Sequence, residues 1–208
     1  TDTPQTGDSF DTAYGPSAPI RTGSLAGTAV LDKAAAPADT RATDRSLKHY
    51  GATHLWLCES VGALSPLLET GDWLVPDDFI DGTRGQHYTY FSEKAGGYVQ
   101  QVPPFDPASR EALLEGALKA ASRPFKRGVY MCVSNTRLET PAEAAFWNRA
   151  GGHVIGRFLS PFLPLAREVE MQVAALVSVV RPGGAVGESV PFEHYEPVLT
   201  VALERLGR

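Results

Sequence analysis

The stretch GVYMCVSNTRLETPAEAAFWNRAGGHVIGRF, residues 128–158, decides the fold. Gly128–Val133 is an apolar run that reads as a buried strand. Thr140-Pro141-Ala142-Glu143 is a capping box with proline at the first helical position, and the helix it opens stops at Gly151-Gly152. His153–Phe158 reads as the next strand. Toward the carboxyl end follow a helix over Pro161–Gln172, a fully apolar strand over Val173–Val180, a Gly-rich loop over Pro182–Ser189 and a closing helix over Phe192–Leu206. Toward the amino end, Pro107–Ser122 is an amphipathic helix with Leu113, Leu114, Ala117 and Leu118 on one face. Leu74–Pro76 and Val99–Val102 are weaker strand candidates. His54–Cys58 is an apolar strand, and a helix capped by Asp39 or Thr40 runs to about Tyr50, with Gly51 as its stop. Thr28–Asp32 is a short strand. Residues 1–26, rich in Thr, Ser, Gly, Pro and Asp, read as a loop-rich segment ahead of one domain over 27–208.

Apolar strands alternating with helices predict an α/β sheet with helices on both faces. In such sheets ligands bind beyond the carboxyl ends of strands. That rule selects Glu59 and Ser60 after Cys58, Ser134, Asn135 and Arg137 after Val133, Arg157 and Phe158 at the end of the His153 strand, and Arg181 after Val180. If the strands are parallel neighbours, one carboxylate and up to three guanidinium groups converge.

The net charge of −5 comes with interspersed signs, so no basic stripe points to nucleic acid and no basic amphipathic helix to a membrane surface. The longest apolar runs are too short to span a bilayer, and the amino end lacks the apolar region of a signal peptide. A cytoplasmic protein is expected. Cys58 and Cys132 stand far apart and read as buried, reduced thiols. His49, His54, His87, His153 and His194 show no ligand spacing, so neither a metal nor another cofactor is expected.

Four segments carry a resemblance: LKHYGATHLWLCESVGAL (47–64), GDWLVPDDFIDGT (71–83), GVYMCVSNTRLETPAEAAF (128–146) and GGHVIGRFLSPFLPLAREVEM (151–171), with YGPSAPI (14–20) ahead of them. In order and spacing the chain resembles the methylthioadenosine phosphorylase branch of the purine nucleoside phosphorylase family. The resemblance implies a three-layer α/β fold, a mixed central sheet flanked by helices, and a homotrimer. It also places His87 and Tyr90 in a loop that approaches a neighbouring subunit's pocket.

The same resemblance exposes departures. The family's glycine-rich opening strand is replaced by TDTPQTGDSF, and its Arg-His phosphate segment by VLDKAAAPADTR (30–41). Glu59 stands where the family has a small Thr or Ser beside phosphate, and a carboxylate there would repel an anion in a low-dielectric pocket. Ser134-Asn135-Thr136-Arg137-Leu138 retains only the arginine of Glu-Gly-Pro-Arg-Phe. Arg157 and Phe158 take the sugar-contacting Met-Thr positions. Arg181 takes that of a purine-reading Asp, and Gly183 that of a second Asp.

From this charge inversion the sequence predicts lost phosphorolysis. The leading expectation is a repurposed acid–base enzyme, in biosynthesis, performing a cyclisation, condensation or hydrolysis on a small aromatic anionic ligand. Glu59 would move the proton. Arg157 and Arg181 would hold the anion, and Phe158, Arg137, Ser60, Ser134 and Asn135 would line the site. The alternative for the arginines is pairing with acids such as Asp32 or Glu139. Alternative functions are a phosphate-independent nucleosidase and a non-catalytic binding or partner subunit.

Overall fold

The computed structural model describes residues 7–33, 38–91, 99–120, 124–134 and 137–207. Two short strands, β1 (Asp11–Thr12) and β2 (Gly15–Pro16), form a small antiparallel pair. β3 (Ile20–Leu25) and β4 (Thr28–Lys33) form a hairpin. The loop reading for residues 20–25 is therefore corrected: an extended segment of ordinary polarity becomes a strand once β4 supplies its hydrogen bonds. Helix α1 (Thr40–His49) is capped by the Asp39 carboxylate, which accepts from the Arg41 amide at 2.8 Å. It ends before Gly51, whose φ of +88° an L side chain rarely adopts.

The main sheet is built from β5 (His54–Ala63), β6 (Trp73–Leu74), β7 (Asp78–Asp81), β8 (Pro124–Phe125), β9 (Val129–Cys132), β10 (Val154–Gly156) and β11 (Gln172–Pro182). The strand order is β7-β9-β10-β5-β11-β6-β8. β10 is antiparallel to β5, and β11 is parallel to β5, so the sheet is mixed. Four further helices complete the domain: α2 (Pro107–Ala120), α3 (Pro141–Arg149), α4 (Phe162–Glu168) and α5 (Glu196–Leu206). The capping box at Thr140 and Glu143 starts α3.

Strand β11 shows why three layers form. Val173, Ala175, Val177 and Val179 pack in a core with Leu163 and Ala166 of α4. Ala174 and Leu176, on the other face, pack with Leu113 of α2 and Val198 of α5. The period of two buries both faces, and each fully buried leucine contributes about 1.5–3 kcal/mol. Among the described residues no helix is long and apolar enough to cross a membrane.

Two further expectations change. Residues 99–102 form no strand; Pro103 and Pro104 follow, and neither can donate to a ladder. β5 does not stop at Cys58 but continues to Ala63, because a polar side chain at Glu59 or Ser60 leaves the backbone ladder to β11 intact.

Candidate active site

Glu59 therefore lies inside a strand rather than beyond its end. The antiparallel pairing of β10 with β5 sets Ile155 opposite Gly62. The chain leaving β10 at Arg157 thus passes beside the middle of β5. The Arg157 amide donates to Glu59 Oε1 at 2.8 Å, and the Tyr130 hydroxyl of β9 donates to Oε2. Gly156 makes this possible: a Cβ there would stand 2.9 Å from Glu59 Oε1 and against the Tyr130 hydroxyl.

Glu59 is only 7% exposed. Burial raises its pKa above the ordinary carboxylate value, and the bonds from Tyr130 and Arg157 offset only part of that effect. Burial also pushes the Tyr130 phenol well up, with the neighbouring Glu59 adding to it. The Cys58 and Cys132 thiols are free, and burial lifts both to about 12, so both remain protonated and unreactive near neutral pH.

Glu59 borders a cavity of about 250 Å³. Phe158, Phe192, Val190 and Tyr195 form its apolar wall, and Cys58, Ser60 and Ser189 complete it. The Val190 amide donates to Ser60 Oγ at 3.0 Å, which fastens the loop after β11 to the sheet. Phe158 is 43% exposed and belongs to this wall rather than to the core. A larger groove of about 540 Å³ lies at the far end of β5 against α3, and Glu59 does not border it.

The two arginines do not form an open fork. Arg181 Nη1 bonds Glu139 Oε1 at 2.5 Å, and Arg157 Nη2 bonds Glu139 Oε2 at 3.0 Å. The Gly184 amide adds a third donor, at 2.9 Å. Burial pushes the Glu139 pKa up, but the bond from Arg181, helped by Gly184, outweighs it and holds the carboxyl ionised below its ordinary range. A bulge near Val180 shifts the β11 register so that Arg181 faces Gly62. One acid thus fastens the ends of β10 and β11 to the loop ahead of α3.

Arg137 is not at the cavity. Its side chain is 62% exposed and paired with Glu143 at 2.6 Å, on the outer side of α3. Ser134 accepts from the Arg84 amide at 3.3 Å in an exposed loop. Asn135 lies outside the described residues. His87 lies 3.3 Å from Asp39, and the Tyr90 hydroxyl donates to the Arg41 carbonyl, so both hold their loop to the start of α1. Sequence reasoning missed Tyr130, Val190, Phe192 and Tyr195. Tyr130 sits in an apolar strand, and the other three come from a segment far from β5 in sequence, so only the assembled sheet brings them to Glu59.

A three-layer α/β domain with a cavity against a mixed sheet is the architecture of a nucleoside phosphorylase. Superposition bears this out. An adenosine/methylthioadenosine phosphorylase from Schistosoma mansoni aligns over 99% of this chain and 86% of its own, with a TM-score of 0.83 and 19% identity, a likeness of fold alone. Residues 20–208 match the model of the Phosphorylase superfamily. A probable S-methyl-5'-thioinosine phosphorylase from Pseudomonas syringae is 34% identical over 86% of this chain and 77% of its own length. An S-methyl-5'-thioadenosine phosphorylase from Thermofilum pendens is 34% identical over 131 residues, and there the chain spans only 50% of the relative's length. The chain belongs to the purine nucleoside phosphorylase family, in its methylthioadenosine phosphorylase-like branch.

These relatives are named as phosphorylases, and they overturn the expectation that phosphorolysis has been lost in favour of a repurposed, nucleosidase or non-catalytic role. One physical premise of that expectation also fails. The two arginines share the single Glu139 carboxylate and so do not form the open fork expected for an anionic ligand.

Proposed function

We propose that the protein catalyses phosphorolysis of a purine nucleoside of the 5'-methylthio type, giving free base and a sugar 1-phosphate. The observation that carries this reading is the 34% identity, over 86% of the chain, to the relative named as a probable S-methyl-5'-thioinosine phosphorylase. The site is compatible with it: a cavity of about 250 Å³ with aromatic walls suits a flat heterocycle.

Under this reading phosphate attacks the anomeric carbon as the glycosidic bond breaks. The enzyme is proposed to differ from a standard methylthioadenosine phosphorylase at Glu59, Arg157, Phe158 and Arg181, where the resemblance sets other residue types. A homotrimer is the assembly proposed by family analogy. The test is incubation with methylthioinosine, methylthioadenosine and inosine, with and without phosphate. Base release that requires phosphate supports the reading, and equal release in its absence refutes it.

A further inference from the structure

We propose that the free edge of β5 accepts an added β-strand, supplied by a partner polypeptide as an extended, uncharged segment. This surface does not rest on the phosphorolysis reading above.

β5 lies inside the sheet, yet only one of its edges is paired along its length. β11 covers that edge from His54 to Ala63. On the other edge β10 pairs only with Gly62 and Ala63 and then ends at Gly156. The Leu64 amide donates to the His153 carbonyl on β10's side, and the Thr53 carbonyl accepts from the Gln172 amide on β11's side. Backbone groups two residues apart in a strand share an edge. The N–H and C=O groups of Trp56, Cys58 and Ser60 therefore point to β10's side, where β10 has already ended. Among the described residues they have no backbone partner. A row of unpaired groups on a strand edge is a template for another strand.

Burial marks the same gap. Ala174, Ala175 and Leu176 of β11 are fully buried. Their partners one strand over, Trp56, Leu57 and Cys58, are only half-buried. Leu55 and Leu57 border the core that holds Leu163 of α4, and Trp56 and Cys58 border the core that holds Leu113 of α2. A strand added here would cover apolar side chains on both faces of the sheet. Among the described residues the buried Trp56 Nε1 has no hydrogen-bond partner. A buried donor without an acceptor is destabilising, and a hydroxyl on the added strand would satisfy it.

These features define the partner's chemistry. Branched apolar side chains suit the Leu55 and Leu57 face, and hydroxyl side chains suit the Trp56 face. The segment thus alternates the two types over about six residues. It carries no charge. Glu59 already accepts from Tyr130 and from the Arg157 amide, and His54 stands exposed at the strand's start, so a buried charge on the guest would find no counter-ion. Residues 1–6, TDTPQT, hold a proline and no valine, leucine or isoleucine, and 92–98, SEKAGGY, carry two charges and two glycines, so neither sequence matches this pattern.

The test uses the full chain and the peptide acetyl-Val-Thr-Val-Thr-Val-Thr-amide, with amide hydrogen exchange followed by NMR. In the protein alone, the amides of Trp56, Cys58 and Ser60 should exchange much faster than those of Leu55, Leu57 and Glu59, which point to β11. Saturating peptide should slow the first three by about tenfold or more and change the second three far less. The same peptide with proline in place of its second threonine should have no effect, because proline breaks the ladder. Equal protection of both sets in the protein alone would show that the edge is already covered and would overturn the proposal. Exchange that the peptide leaves unchanged would overturn it too. Slowing that grows with protein concentration in the absence of peptide would assign the edge to a second copy of this chain and overturn the partner assignment.

Discussion

Arg181 passes close over Gly62 on its way to Glu139: a Cβ on residue 62 would stand 2.8 Å from the Arg181 Nη1 atom. That nitrogen makes the 2.5 Å bond to Glu139 Oε1. Gly62→Ala should therefore push the guanidinium off its partner and leave Glu139 with incomplete pairing. Loss of thermal stability, with an unchanged far-ultraviolet spectrum, is the expected readout. An unshifted melting temperature would mean that the arginine has another way to reach the acid.

Glu139→Gln tests the same clamp from its centre. It strands two arginines that are almost buried, with side chains 13% and 6% exposed. Breaking one partner of a buried pair costs about 3–5 kcal/mol. Replacing Glu139 and Arg181 together by methionine should recover part of that loss, because one nearly buried arginine, Arg157, is then left unpaired instead of two. Chemical denaturation of the three proteins gives the comparison. A double variant less stable than Glu139→Gln would show that the clamp contributes net stability as a pair.

Gly156→Ala should disturb the floor of the cavity. Its added methyl group meets Glu59 Oε1 at 2.9 Å and also the Tyr130 hydroxyl, which is fully buried and has no room to retreat. Overpacking of this kind costs about 1–3 kcal/mol. Activity should fall as well, because Glu59 loses its fixed rotamer. Wild-type activity in a stable Gly156→Ala protein would contradict the role given to this geometry.

The raised pKa of Glu59 makes a prediction about stability and pH. Its ordinary value is 4.5, and burial lifts the folded value above this. Between the two values the folded state holds a proton that the unfolded state has released, so stability falls as pH rises through that window. Tyr130, Cys132, Tyr195 and Arg157 interact with this carboxyl, and burial pushes the two phenols and the thiol up, away from the acidic range. Glu59→Gln removes this loss. Its denaturation midpoint should therefore gain on that of wild type as pH rises from 4.5 toward neutrality. A constant difference across that range would contradict the assignment.

Much of this fold was legible in the sequence because apolar period and caps decide it. Thr140 and Glu143 announced α3, Asp39 and Gly51 bounded α1, and the apolar run at Val173 marked the buried strand β11 beside the central β5. The site was less legible. Its composition depends on β10 running antiparallel to β5, and a period of two carries no direction. Glu139 was visible only as one possible partner for an arginine: its bond to Arg181 follows a β-bulge in β11, and its bond to Arg157 depends on where β10 ends. Charge inversion was misread for a similar reason: residue types give formal charge, whereas burial and pairing decide the charge that a ligand meets.

The central claim is tested most directly by phosphorus NMR of the protein with methylthioinosine and inorganic phosphate. The account predicts a sugar-phosphate ester resonance that grows in step with the free base and is absent without enzyme. Free base appearing with no ester resonance, or neither product appearing, would contradict it.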